Sequence, residues 1–411
     1  MRLLIVSQYF WPENFRINDL AAELVQRGHQ VTVLTGVPNY PDGNIFPRFK
    51  ADPHKFLNYK GVDIIRVPMT VRGRGNFRLL LNYFTFALSG SVFGPLKLRG
   101  IKFDAIFTCQ LSPVTVGLPA AVMRAIKRVP MVFWVLDLWP DTLQAVGIVR
   151  SRRMIQLIGL LIKFIYSRCD LILAQSRSFI PQIKKYTGSN KRVEYFPSWA
   201  EDIFDQQQNI WAEEIPKNPQ SFSVMFAGNL GDAQDFPAIL DAAENLRAHT
   251  NIRWLIVGDG RNAQWVQDEI RRRRLDGCVL MFGRYPVERM PSFFSHADAL
   301  LVSLKDEPIF SMTIPGKLQS YLAAGIPIVA MLNGEGAALV KYSNSGLICN
   351  AGDSAGLASA VLKLSKMTKE DRSAMGRNGI EVSTKEFDRS MLIDRLEGWL
   401  AEVVSSRNYK S

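Results

Sequence analysis

Short apolar runs alternate with amphipathic stretches twice along the chain, on either side of one polar interruption. In the first half the runs at 3–9, 30–35, 62–68, 104–109, 131–137, 171–176 and 193–197 are short and rich in branched and aromatic residues, which predicts strands. Helical spacing fills the gaps between them, as at 16–28. The polar segment 201–220 breaks the rhythm, which then restarts with runs at 223–228, 252–258, 279–283, 299–304, 326–331 and 345–350. Strands separated by helices predict an α/β fold built from mostly parallel, doubly wound sheets. The expected organisation is two Rossmann-like domains facing across a cleft: 1–205, a linker at 206–220, and 221–385. A helix over 386–411 carries Phe387, Met391, Leu392, Leu396, Trp399 and Leu400 on or near one face. Two placements stay open for it, crossing back to the first domain or docking on the second.

Length supports two domains, since 411 residues exceed what one core fills. The four cysteines, Cys109, Cys169, Cys278 and Cys349, form no CxxC pair, which disfavours a disulfide framework or a zinc site and fits a reducing compartment. The opening MRLLIVSQYFWPE reads as a first strand, with no long apolar core of an export signal. Charge is uneven. Residues 1–200 hold 27 Lys and Arg against 11 Asp and Glu, whereas the rest of the chain is slightly acidic. A basic first half points to an anionic partner such as a membrane surface, a phosphorylated acceptor or nucleic acid. His29, His54, His249 and His296 show no metal-ligand spacing and no DxD follows a strand, so no catalytic metal and no cofactor are expected.

The most telling stretch is 305–330, KDEPIFSMTIPGKLQSYLAAGIPIVA. Its turn at Thr313, Ile314, Pro315 and Gly316 presents free backbone N–H groups at a helix start, and Lys317 adds a cation against the helix dipole. Together these make a seat for phosphate. The alternative is an ordinary loop–helix–strand unit with a surface lysine. Two apolar stretches, 79–98 and 154–166, are flanked by cations: Arg72, Arg74, Arg78, Lys97, Arg99 and Lys102 about the first, and Arg150, Arg152 and Arg153 before the second. They read either as amphipathic helices lying on an anionic membrane or as buried helices of the first domain.

The order and spacing of YFWPENFRINDLAAELVQRGHQVTVLTGVPNYPDG, VLDLWPDTL, CDLILAQS, YFPSWAEDIF, FAGNLGDAQDF, VGDG, FGRYP, the 305–330 stretch and MGRNG resemble the retaining family 4 glycosyltransferases of the GT-B fold, and within them bacterial O-antigen and capsule enzymes of the fucosamine-transferase type. The resemblance covers nearly the whole chain. It implies a nucleotide-sugar donor, UDP-linked, in the second domain and a polyprenyl-diphosphate-linked glycan acceptor in the first. It also implies a peripheral location on the inner face of the bacterial plasma membrane and no nucleic-acid partner. The chain departs from the family pattern in three places. The second of two glutamates eight apart falls at Ser320, the Gly-Arg and Lys-Gly pairs that hold diphosphate appear as Gly228-Asn229 and Gln234-Asp235, and the glycine pair of the first loop is replaced around Asn14-Phe15-Arg16.

Leaving-group charge develops on the diphosphate, so preorganised donors there matter most. Lys317 and the amides of 313–316 suit that task, with Arg284 and Tyr285 either on the same group or lining the base pocket. Asp306 and Glu307 follow a strand directly. Glu307 is the candidate to support positive charge at the anomeric carbon, and Asp306 either orients the loop or takes the ribose contact that Ser320 cannot supply. Gly258, Asp259 and Gly260 allow close backbone approach to a ligand, and Glu335 follows the next strand. In the first domain Asp137 ends a strand beside Trp139 and Pro140 and is the candidate acid/base or acceptor-positioning group. Asp141 competes with it. Asn14, Arg16 and Asn18, with Asn39 and Tyr40, shape the acceptor loop. A sugar-nucleotide epimerase or hydrolase on the same scaffold, and a non-catalytic anionic-membrane or nucleic-acid binder, stay open as alternatives.

Overall fold

A computed structural model describes residues 1–41, 43–73, 75–145, 147–149, 151–200, 202–204 and 211–408. The chain forms two compact units, Met1–Phe196 with Leu392–Ser411, and Pro197–Met391.

The first unit is built on strands β1 (Arg2–Val6), β2 (Gln30–Thr35), β3 (Asn58–Tyr59), β4 (Val62–Arg66), β5 (Ala105–Gln110), β6 (Met131–Val135), β7 (Leu171–Ala174) and β8 (Val193–Tyr195). They lie in the order β3-β4-β2-β1-β5-β6-β7-β8, parallel except for β3, a two-residue antiparallel edge against β4. The apolar runs at 3–9, 131–137 and 171–176 overshoot the ladders at their carboxyl ends. The cause is burial of the loops that follow: Ser7, Gln8, Tyr9 and Phe10 are as enclosed as the strand itself.

The second unit holds β9 (Phe222–Ala227), β10 (Ile252–Val257), β11 (Val279–Gly283), β12 (Ala299–Ser303), β13 (Ile328–Met331) and β14 (Gly346–Cys349). Their order is β11-β10-β9-β12-β13-β14, and every ladder is parallel. Both faces of this sheet are covered, so its strands are apolar on both sides. Phe222, Val224 and Phe226 enter one core, and Met225 and Ala227 enter the other with Leu318, Tyr321 and Leu322.

The organisation differs from the sequence expectation at its joints. The change of unit falls at Phe196/Pro197 rather than near 205. Residues 206–210 of the expected linker lie outside the described residues, and 211–217 is packed onto the second unit. There Ala212 and Ile215 are buried, the Ala212 amide donates to His296 Nε2 at 3.1 Å, Arg289 pairs with Glu214 at 2.9 Å and Arg253 donates to the Pro216 carbonyl at 2.6 Å. The last helix is Arg389–Asn408, and from Leu392 onward it belongs to the first unit. Leu392, Ile393, Leu396 and Leu400 are fully buried. Glu397 pairs with His29 at 2.5 Å and Arg27 at 2.7 Å, and Trp399 meets Phe196 edge-on with ring centroids 6.0 Å apart.

The stretch 79–98 belongs to the Asn76–Lys97 helix, and Phe77–Lys97 is long and apolar enough to cross a membrane. One side of the helix is nonetheless docked. Asn82, Tyr83, Phe86, Ala87 and Ser89 are buried. Asn82 Oδ1 accepts from Gln8 Nε2 at 2.7 Å and from the Tyr9 hydroxyl at 3.2 Å, and its Nδ2 donates to the Thr70 carbonyl at 2.7 Å. Removing this amide strands buried polar partners, which costs about 1–3 kcal/mol. Asn82→Leu, which makes the helix more apolar, is therefore expected to lower the thermal unfolding midpoint of the purified protein. A neutral or stabilising effect would mean that Asn82 does not anchor the helix in this way.

Candidate active site

In parallel sheets ligands gather beyond the carboxyl ends of the strands, where the strand order reverses. The reversal in the second unit lies between β9 and β12. The loops leaving these two strands are Gly228–Asp235 and Leu304–Glu307, and they are tied together. The Lys305 amide donates to the Ala233 carbonyl at 2.9 Å, and the Ser303 hydroxyl donates to the Gln234 carbonyl at 2.7 Å. Asn333, after β13, donates to Asp306 at 2.8 Å and accepts from the Ala351 amide at 3.2 Å.

The helix Gly316–Ala323 is fixed to this place by one residue. Tyr321 is buried, and its hydroxyl accepts from the Ala227 amide at 3.0 Å while donating to the Ala227 carbonyl at 3.1 Å. That clamp sets the first turn of the helix over the end of β9. Lys317 then places its ammonium 3.7 Å from the centre of the Phe226 ring. Gly228, at φ 143°, leaves the necessary space: a Cβ there would stand 3.1 Å from Nζ. The lysine stem is half-exposed, but Nζ is shut off from solvent with no hydrogen-bond partner. Burial pushes its pKa down from 10.5 to about 7. A ring face gives a cation modest relief, well short of replacing its hydration. An anion of matching size would do so.

Around this ammonium the glycine backbones close up. A Cβ on Gly258, at φ 148°, would sit 1.8 Å from the Gly228 carbonyl oxygen, so the turns after β9 and β10 approach each other as only glycine permits. Asp259 turns back on its own loop, its Oδ1 accepting from the Gly260 amide at 2.7 Å. Asn229 lies beside Gly260, whose Cβ would stand 2.7 Å from its Oδ1. Asp306 is exposed and accepts from Asn333. Glu307 is half-buried and precedes the short Pro308–Ser311 helix. The structure gathers Gly228, Asn229, Gly258, Asp259, Gly260, Asp306, Glu307 and the 313–317 turn at this end of the sheet, but the turn offers fewer free amides than expected: the Thr313 amide donates to the Phe310 carbonyl at 3.2 Å, and Pro315 has no N–H to give. Ser320 is buried on the Gly316–Ala323 helix. Arg284 is exposed beyond the edge strand β11, and the Tyr285 ring packs on Phe293 at 4.6 Å.

In the first unit the reversal lies between β1 and β5. Asp137 follows β6 and is half-buried. Burial raises its pKa to about 6 against hydrogen bonds from Thr142, Trp139, Ser112 and the Leu138 amide. Trp139 Nε1 donates to it at 3.2 Å, and the Trp139 ring meets Tyr83 at 5.8 Å. Asp141 instead opens the Asp141–Ala145 helix, with its side chain half-exposed. Asn39 is fully buried and ties its loop to the segment after β4, donating to the Val37 carbonyl at 2.7 Å and accepting from the Arg72 amide at 2.7 Å. Tyr40 stacks among Tyr9, Phe15 and Arg72. Asn14 is exposed and Arg16 half-exposed.

Sequence reasoning missed the residue that joins these loops. Glu13 accepts from the amides of Asn39 and Tyr40 at 2.7 Å each and from Phe10 at 3.3 Å. Burial lifts its pKa to about 7 against those bonds. Phe226 and Tyr321 were also unmarked, because an aromatic in an apolar run looks like core. The only available signal was their spacing from Gly228 and Lys317. Among the described residues no three His, Cys, Asp or Glu side chains form a metal-ligating group.

Comparison with known proteins fits this geometry. Residues 14–199 match the family described as glycosyl transferase 4-like domain, and residues 221–367 match glycosyl transferases group 1. The chain is a GT-B glycosyltransferase of these families. Among relatives, a putative colanic acid biosynthesis glycosyl transferase, WcaI of Escherichia coli K12, is 23% identical over 79% of this chain and 82% of its own length. The N-acetyl-alpha-D-glucosaminyl L-malate synthase of Bacillus anthracis is 19% identical over 58% of this chain and 61% of its own. Among solved structures, Alr3699/HepE of Anabaena, crystallised with UDP and glucose, superposes with a TM-score of 0.67 at 14% identity, covering 97% of this chain and 99% of that one. WaaG, a glycosyltransferase involved in lipopolysaccharide biosynthesis, gives 0.66 at 14% identity, covering 96% and 98%.

In this glycosyltransferase the Lys317 ammonium has a measurable signature in the ligand-free protein. Its folded pKa of about 7 lies below the ordinary 10.5, so the unfolded chain binds more protons between those values. Stability therefore rises with pH across that window. Lys317→Met is expected to be more stable than the parent in urea at pH 6.5 and to lose the rise between pH 7 and 9.5. An unchanged pH slope would place the ammonium in water.

Proposed function

We propose that this glycosyltransferase moves a sugar from a UDP-linked donor held by the second unit to a polyprenyl-diphosphate-linked glycan acceptor held by the first, with retention of anomeric configuration. The observation that carries the reading is Lys317: a buried ammonium without a counter-charge, at a helix start, beside glycine backbones. A diphosphate supplies the missing charge. As the bond to the sugar breaks, negative charge grows on the leaving diphosphate, and a cation already stripped of water stabilises it without reorganising. Glu307, at the end of β12, supports the positive charge that develops at the anomeric carbon. Asp137, half-buried with a pKa raised to about 6, positions the acceptor hydroxyl and takes part in its proton transfer. The Escherichia coli relative's colanic acid role and the lipopolysaccharide role of WaaG favour a product in bacterial surface polysaccharide, O-antigen or capsule. The resemblance of its motifs to fucosamine-transferase-type enzymes is what favours an N-acetylated deoxyhexosamine, such as fucosamine, as the transferred sugar.

The acceptor chemistry calls for work at the inner face of the plasma membrane, and the first unit carries a matching surface. Leu80, Phe84, Leu88, Val92 and Leu96 form an exposed stripe on the Asn76–Lys97 helix. Met154, Leu157, Leu160 and Phe164 form another on the Arg152–Arg168 helix. The Gly117–Lys127 helix packs against both. Lys97, Arg99, Arg152, Arg153, Lys163 and Arg168 are exposed around them, the arrangement of an interfacial surface on anionic lipid.

Two measurements test the proposal. Binding of UDP at pH 8 is expected to take up a proton, because the diphosphate restores the Lys317 charge. Calorimetry in buffers of different ionisation enthalpy reads this. Lys317→Met should abolish the uptake and weaken UDP by roughly tenfold to a hundredfold, the range of a charged hydrogen bond. Equal affinity in parent and variant would remove the donor site from this place. For the membrane surface, vesicles containing phosphatidylglycerol are expected to retain the protein and phosphatidylcholine vesicles to leave it in solution. Leu157→Glu with Leu160→Glu should release it. Retention independent of lipid charge and of these leucines would refute the surface assignment.

A further inference from the structure

At the opposite end of the first sheet from Asp137 lies an open cavity of about 1040 Å³. It sits where β6, β7 and β8 begin. Asp170 immediately precedes β7, Arg192 precedes β8, and Arg128 caps the Gly117–Lys127 helix three residues before β6. The far wall is the end of the terminal helix, with Glu402 and Arg407. The length of β6 and the turn after it, six residue steps and on the order of 15–20 Å, separate Met131 from Asp137, so this cavity is no part of the acceptor site.

Its lining holds four arginines, Arg124, Arg128, Arg192 and Arg407, against two acids, Asp170 and Glu402. The pairing leaves cations over. Arg124 takes both oxygens of Asp170 at 3.1 Å, and Asp170 Oδ2 is used again by the Met131 amide at 2.8 Å. Arg192 pairs with Glu402 at 2.6 Å and Glu194 at 3.0 Å. Arg128 is exposed in the left-handed region at φ 55°, and among the described residues no acid pairs with it. Arg407 Nη1 is shut off from solvent without a hydrogen-bond acceptor; its nearest acid oxygen, Asp170 Oδ2, stands 3.9 Å away. Some cation here is expected from the dipoles of helices that end at this edge. A guanidinium nitrogen enclosed with no acceptor is not accounted for by that, since a dipole does not replace a lost hydrogen bond.

We propose that this cavity is a second anion site, for a phosphate group held by Arg128 and Arg407. Planar guanidinium forks suit phosphate oxygens, which accept two parallel hydrogen bonds from each. The phosphate comes from a soluble phosphate ester or from a lipid headgroup. Either source presents the same chemistry to the two arginines, and the site does not depend on the donor assignment at Lys317.

The test uses the full chain and inorganic pyrophosphate in equilibrium dialysis, with Lys317→Met as background so that the donor site does not contribute. One pyrophosphate is expected to bind in that background, and the further changes Arg128→Ala and Arg407→Ala should weaken it about tenfold or more. Arg128→Glu alone, on an exposed turn, should do the same without disturbing the terminal helix. Retention of phosphatidylglycerol vesicles by the double arginine variant identifies the source. Loss of pyrophosphate with vesicle binding intact supports a soluble ester, and loss of both supports a headgroup. Pyrophosphate binding that survives the arginine changes overturns the proposal, whether or not vesicle binding falls.

Discussion

The second unit is organised around a cation kept out of water. Nothing about an eight-residue helix at a sheet end requires its second residue to turn inward; a lysine stem is long enough to reach solvent from that position. It turns inward because Tyr321 brackets both polar groups of Ala227 and brings the helix down on the end of β9, while Gly228 withholds the Cβ that would block the space. The ammonium is left with a ring face and no acceptor. A fold that keeps such a group spends stability on it, and that stability returns when an anion enters. Strain of this kind gathers at sites of function.

The first unit perturbs its groups in the opposite sense. Asp137 and Glu13 are both carboxyls lifted by burial, yet their surroundings assign them different work. Glu13 accepts three backbone amides from two loops, so its oxygens are occupied and its work is to hold those loops in register with one another. Asp137 is held by side chains of its own turn, Trp139 and Thr142, which orient the carboxyl at a strand end. Burial thus moves the lysine of the second unit down and the aspartate of the first unit up, each toward its neutral form.

The β–α alternation was legible because apolar runs of strand length between helical stretches have few other solutions, and each of the thirteen runs holds a strand. The two-residue β3 was not, since Asn58 and Tyr59 carry no pattern of their own. The docking of 211–217 was not legible because the segment looks polar, while its anchors are single residues, Ala212 and Ile215, backed by a hydrogen bond from the Ala212 amide to His296. In the site, position was legible and environment was not. Lys317 stands out in its motif, but whether its ammonium meets water depends on Phe226 and Gly228, some ninety residues earlier in the chain. Glu13 was invisible for the same reason: its partners at 39 and 40 are backbone amides, which no side-chain pattern records.

The Asn76–Lys97 helix shows why composition alone leaves its two readings open. Core and bilayer both reward apolar residues, so the polar positions must discriminate, and in the sequence they look like interruptions scattered through an apolar run. In the fold they fall on the docked side. Asn82 and Ser89 are buried, and Gly90 and Gly94 bring the helix close to Pro119 and Leu34. With its polar and small residues turned inward, the outer side is more continuously apolar than the stretch as a whole. An isolated core helix places such residues outward, where water can satisfy them. This helix does the reverse: its polar and small residues meet protein, and Phe84, Leu88, Val92 and Leu96 are left exposed on the other side.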